Sequence, residues 1–198
     1  MNKYSVSAVA IWLLVFLSGC ATMPKIGQQK FVQASGVKPS WINETWMEQD
    51  DKIFVTGSVR GADDFALGIR EAEAEGIANL IKAIQVKVRF EFGRSTKGQN
   101  LERGDLGKIV EEVIALTTEN IKTTGLKLEK MYWEKQEETV SADRIRYVYD
   151  CYAFTSISKA DYAAAIDRAI NGELEKAKEA RNRSAEKLLN EVKTKLNK

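Results

Sequence analysis

Three sets of side chains in this sequence have the types that chemistry uses: two cysteines, Cys20 and Cys151, a run of alternate carboxylates at Glu71, Glu73 and Glu75, and glycines at 57, 61, 68 and 76. The carboxylates would serve general acid–base or metal chemistry only if they converged. A helix turns by about 100° per residue, so alternate positions point apart and read as a solvated face. The glycines fit neither G-x-G-x-x-G nor G-x-x-x-x-G-K-[ST], so no phosphate cradle is expected. Histidine is absent from all 198 residues. That removes the commonest general base, the commonest metal ligand and the usual partner of a nucleophilic serine or cysteine. Asp, Glu, Tyr and Lys remain but form no constellation, so the reading has no catalytic, cofactor-binding or metal residues and no enzyme activity. Asn182-Arg183-Ser184 matches a glycosylation sequon in form alone.

Cys20 is the residue whose context assigns a role. Lys3 precedes an apolar run from Val6 to Leu17, which ends in Leu17-Ser18-Gly19-Cys20. The run is shorter than the roughly 20 residues needed to span a bilayer. The pattern resembles a bacterial lipoprotein signal with its lipobox, cleaved before the cysteine that takes the lipid. Cys20 is then the mature N-terminus and the lipid attachment site. Each buried methylene of its acyl chains contributes about 0.8 kcal/mol, so the anchoring is effectively permanent. Ala21 follows where Asp would retain such a protein at the inner membrane, which implies an outer-membrane, lipid-anchored location facing the periplasm or the cell surface.

With Cys20 acylated, Cys151 has no intramolecular disulfide partner. It sits in a strand pattern and reads as an inert core position, against the sharper use as a reactive thiol or intermolecular bridge. The net charge of +2 becomes +1 when residues 1–19 leave, because Lys3 is the single charged side chain among them. So balanced a charge steers neither nucleic acid nor acidic substrates, and no small-molecule substrate is evident.

Four segments are expected to organise the chain: a signal peptide, 1–19; a flexible tether, 20–38; an α+β domain, 39–170; and a charged C-terminal helix, 171–198. In the tether, Pro24, Gly27, Gln28, Gln29, Ser35 and Gly36 lie among polar residues without periodicity. Trp41 and Trp46 read as a packed clamp where the chain enters the fold.

Residues 53–59 read as a strand. Asp63 and Asp64 start a helix whose apolar face carries Phe65, Ile69, Ala72, Gly76, Ile77, Leu80 and Ile81, with Ala72 and Gly76 allowing close approach to a sheet. The alternation of Ile84, Val86, Val88, Phe90 and Phe92 with polar residues predicts a second strand over 84–92. A second helix is expected along Leu106, Ile109, Val110, Val113, Leu116 and Ile121, ending at Gly125. Strands over Leu126–Lys135 and Arg144–Ser156, joined by a polar loop from Gln136 to Asp143, should form an antiparallel hairpin with Ile145, Tyr147, Tyr149, Cys151 and Ala153 on one face. Ser158, with Asp161 in a capping-box position, starts the last helix of the domain, carrying Tyr162, Ile166 and Ile170. Asn171-Gly172 is placed to break or bend it.

Beyond Gly172, the stripe of Leu174, Ala177, Ala185, Leu188, Val192 and Leu196 reads as too thin for a buried helix. A solvated extension is expected there, with a coiled coil or partner-docking helix as the alternative. The fold class is thus α+β, a mostly antiparallel four-stranded sheet packed by helices in the order β-α-β-α-β-β-α, with a charged helical extension.

That order, behind a lipobox, carries a family likeness through Pro39-Ser40-Trp41, Val55-Thr56-Gly57-Ser58-Val59, Glu71-Ala72-Glu73-Ala74 with Leu80, and Ile84-Gln85-Val86-Lys87-Val88. In these features the chain resembles the LPP20 family of bacterial lipoproteins. The resemblance implies a non-enzymatic binding or scaffold module for an envelope or flagellar protein, held to the membrane through Cys20. Similar small lipoprotein domains activate peptidoglycan synthases, which makes a synthase regulator the alternative, although a tether of about 18 residues extends at most about 60 Å. The ending Lys195-Leu196-Asn197-Lys198 resembles the major murein lipoprotein in its terminal lysine, so a peptidoglycan tether through Lys198 is a further alternative. The charged C-terminal helix, Trp133 and Tyr152 are the candidate partner contacts.

Overall fold

A computed structural model describes residues 25–96, 103–124 and 126–196. The elements are β1 (Gln29–Ala34), a 3₁₀ turn (Ser40–Asn43), β2 (Trp46–Gln49), β3 (Lys52–Ala62), α1 (Phe65–Ser95), α2 (Arg103–Thr124), β4 (Lys127–Ser141), β5 (Arg144–Ser158), α3 (Lys159–Glu179) and α4 (Arg183–Leu196). The fold class is α+β, with an antiparallel sheet of order β1-β4-β5-β3-β2. It has five strands where the sequence reading expects four. Cys20 and Lys198 lie outside the described residues.

The largest departure is at 84–92. The expected strand is the second half of α1, a helix of 31 residues. Ile84, Val88 and Phe92 recur every fourth residue and continue the register set by Ala72, Gly76 and Leu80, and all six are buried. An apolar residue at every second position satisfies both a strand and, at every second occurrence, a helix. The helix wins because its buried stripe is already running when it reaches Ile84. Asp64 caps its start, accepting a hydrogen bond from Leu67 N at 2.8 Å.

The first half of α1 lies on β3 and β5. A Cβ on Gly57 would collide with the α1 backbone at Ala72 O and Gly76 N, so only glycine permits this approach. The second half runs past the sheet into a helical core. There Leu80, Ile84, Val88 and Phe92 meet Val113 and Ile121 of α2, Ile166 and Ile170 of α3, and Leu188, Leu189 and Val192 of α4. α1 thereby joins a sheet half to a helical half.

Ser158 caps α3 as expected: its Oγ accepts from Asp161 N at 2.9 Å and donates to Asp161 Oδ2 at 2.7 Å. The expected break at Asn171-Gly172 is absent, and α3 continues through it to Glu179. α4, expected to be solvated, is docked on its own domain. Ala185, Leu188, Leu189, Val192 and Leu196 are buried. Leu189 beside Leu188 widens the thin stripe enough to pack. Lys195 Nζ also donates to Ser95 Oγ at the end of α1, 2.9 Å away.

Two further corrections concern the strands. The stretch expected as a tether carries β1, which pairs with β4 from Gln29↔Glu138 to Ala34↔Glu134. The expected loop from Gln136 to Asp143 is strand as far as Ser141, leaving Ala142 and Asp143 as the turn. On the sheet face away from α1, Trp41 stacks on Phe154, with ring centroids 5.1 Å apart. Thr56 Oγ1 donates to Trp41 O at 3.1 Å and holds the 3₁₀ turn there.

Candidate functional site

The chain joins the sheet at its hairpin end. Gly27 N donates to Thr139 O at 2.8 Å, and Thr139 N donates to Gln28 O at 3.0 Å. Gly27 has φ 80°, in the left-handed region that favours glycine. Seven residue steps separate Gly27 from Cys20. An extended chain of that length reaches at most about 25 Å. The fold therefore starts much closer to Cys20 than a tether ending at residue 38 would allow.

At the same end, β4 and β5 outrun the helix. Phe65, the first residue of α1, packs edge-on against Trp133 at 5.6 Å and Tyr149 at 6.2 Å between ring centroids. The hairpin continues past that level for five residues, from Tyr149 to Arg144, or about 17 Å at ordinary strand rise. Register places Ile145 opposite Thr139 and Tyr147 opposite Glu137, on the face that α1 covers lower down. With no helix above them, Ile145 and Tyr147 are 50% and 45% exposed, and Lys135 Nζ lies 4.2 Å from the Tyr147 ring centre. Phe31 of β1 and Ile26 just before it are 57% and 75% exposed. Arg146 is engaged by Glu138 at 2.9 Å and Asp63 at 3.3 Å.

The helical half carries the main charged cluster. Lys176 Nζ donates to Glu173 Oε1 at 2.7 Å and Glu112 Oε2 at 3.0 Å. These groups edge a cleft of about 450 Å³ between α2, α3 and α4, with Asp105, Ile109 and Leu189 among its walls. Glu173 is only 4% exposed, and burial raises its carboxyl pKa against the opposing pull of Lys176. The hydrogen bond from Lys176 and one with Glu173 lower Glu112. Bonds to both carboxylates raise Lys176, keeping it protonated and unsuited to act as a base or nucleophile. The arrangement is an ion-pair clasp closing α3 on α2.

The other candidates separate. Cys151 is fully buried against Gly68 and Ala153, and burial pushes its thiol up to about 11, so it is inert at neutral pH. Tyr152, expected to be exposed, is buried beside Tyr132, and Trp133 is half-buried between Phe65 and Tyr149. The C-terminal helix spends its apolar side on its own core. Glu71, Glu73 and Glu75 lie on α1 without converging, and among the described residues no group of three His, Cys, Asp or Glu side chains could hold a metal ion. Among those residues, no helix is long and apolar enough to cross a membrane.

One surface was hidden by the strand reading. Val86 and Phe90, one turn apart on α1, are 69% and 59% exposed, with Arg94 over the Phe90 ring at 5.4 Å. Continuing the four-residue spacing from Leu80 through Ile84, Val88 and Phe92 would have revealed them as the apolar residues left outside. Comparisons with known proteins find no matching family model, curated protein or solved structure.

Proposed function

We propose that this chain is an outer-membrane-anchored lipoprotein of LPP20-like type, whose domain is a non-enzymatic binding or scaffold module for an envelope or flagellar protein. The observation that carries this reading is Leu17-Ser18-Gly19-Cys20, set seven residues ahead of the first residue bonded into the sheet. Such spacing suits a module displayed close to its membrane. It favours a nearby partner over a synthase reached across the cell wall. The self-satisfied charged clasp and the inert thiol support a binding role over catalysis.

The surface best suited to that partner is the Val86–Phe90 ridge. It combines exposed apolar area on a rigid helix with Arg94 beside the Phe90 ring, and arginine and aromatic residues set together are the types on which interface binding energy concentrates. The test is crosslinking in intact cells followed by purification from envelope membranes, using the wild-type chain, Cys20→Ala and a Val86→Ser/Phe90→Ser pair. A specific envelope or flagellar protein captured by wild type and lost in both variants supports the reading. Recovery of a peptidoglycan synthase regardless of Val86 and Phe90 overturns it in favour of a regulator.

A further inference from the structure

Resting on the anchoring reading above, we propose that the open end of β1, β4 and β5 sits directly on the lipid surface, with Ile26, Phe31, Ile145 and Tyr147 as its contacts. The length of chain outside the fold and the place where it ends set this orientation. The leash from Cys20 to Gly27 reaches at most about 25 Å, and Gly27 is pinned beside Thr139, two residues short of the end of β4. The hairpin end is therefore the part of the fold that the leash delivers to the membrane.

α1 runs the other way. It starts at the level of Tyr149, meets Gly57 at Gly76, and reaches the helical half with 31 residues, about 46 Å in all. A molecule standing on its hairpin end thus holds Val86 and Phe90 well away from the bilayer, free for a protein partner.

The chemistry of the end fits an interfacial contact. Tyr147 offers an aromatic ring with a polar tip, a combination that settles at the boundary between headgroups and acyl chains. Ile145 lies on the same sheet face, while Phe31, opposite Gln136, lies on the other, so an edge-on approach presents both. Charges here are mixed: Lys25, Lys30, Arg144 and Lys135, whose Nζ lies over the Tyr147 ring, stand among Glu137 and Asp143, and Arg146 is already paired with Glu138 and Asp63. Recognition is consequently by apolar and interfacial groups, without dependence on anionic lipid. No single group must insert deeply, because the acyl chains on Cys20 supply the affinity and the hairpin end supplies the posture.

The experiment uses the mature acylated chain in vesicles of zwitterionic phosphatidylcholine, with a nitroxide on Ala142→Cys in the turn or on Gly93→Cys near the far end of α1. The buried, high-pKa Cys151 does not compete for the label. Collisions with oxygen, which concentrates in lipid, and with a water-soluble nickel chelate report the surroundings. The expected result is a label at 142 favouring oxygen over nickel relative to the label at 93, unchanged by added salt. Equal nickel access at both positions overturns the contact while leaving the anchor intact. So does a label at 142 shielded from both reagents, which would mean protein covers that end. A mature chain without acyl mass on Cys20 removes the anchoring reading and this orientation together.

Discussion

Gly57→Ala is the sharpest test of how α1 is seated on the sheet. The added Cβ would fall on Ala72 O and Gly76 N and lie 2.9 Å from Gly76 Cα. All three are helix backbone, so no side-chain rotation can make room and α1 itself must move. Overpacking in a core costs about 1–3 kcal/mol, and backbone contacts on this scale put Gly57→Ala at the upper end, about 3 kcal/mol. For a domain of this size that lowers the melting temperature by about 10 °C. Two glycines grade the expectation. At Gly68 the new Cβ meets Cys151 Sγ at 2.7 Å, which a side-chain rotation can relieve, and Ala62 Cβ at 2.9 Å, which moves only with the β3 backbone, so the smaller overlap predicts a loss of about 2 kcal/mol. At Gly36 nothing lies within 4 Å, so the change should stay within about 0.5 kcal/mol. The assay is urea and thermal unfolding followed by circular dichroism, on the chain without residues 1–19 and with Cys20→Ser. A Gly57→Ala variant melting with Gly36→Ala would refute the close approach and the sheet placement of α1.

Leu188→Ala tests the docking of α4. A fully buried leucine there should cost about 2–5 kcal/mol in urea unfolding, whereas a solvated helix would lose almost nothing. Burial raises the Glu173 pKa in the fold, so the native state holds that proton more tightly than the unfolded chain and stability through this group declines as pH rises from its unfolded pKa through the folded one. Glu173→Gln lacks that decline, so its stability relative to wild type should improve from acid to neutral pH; a variant that loses stability relative to wild type as pH rises contradicts the account. Cys151, with its thiol pushed up to about 11, should resist a disulfide reagent at pH 8 until urea unfolds the chain, and rapid reaction in the native state would show the thiol is accessible.

Much of the architecture was legible in local signals. Asp64 and Ser158 with Asp161 mark helix starts because capping chemistry is satisfied within four residues. The hairpin face of Ile145, Tyr147, Tyr149, Cys151 and Ala153 was legible for the same reason, as strand alternation is local. What escaped depended on distant neighbours. Residues 84–92 carry a two-residue alternation that a helix also accommodates, and only the register inherited from Ala72, Gly76 and Leu80 decides between them. β1 is six mostly exposed residues, whose strand character comes from pairing with β4 about a hundred positions away. The burial of Tyr152 is not legible locally, because nothing nearby in the chain announces that Trp41 and Phe154 build a second core on that sheet face. The candidate membrane-facing end depends on two such pairings, since β1 on β4 shortens the leash and the full β4–β5 hairpin carries Ile145 and Tyr147 beyond the helix.

The central claim is a fold held to a membrane through Cys20, and the mass of the N-terminal peptide from envelope-extracted protein tests it most directly. The account predicts a chain beginning at Cys20 with acyl groups on that cysteine. A chain that retains residues 1–19, or is cut elsewhere and leaves Cys20 unmodified, would contradict it.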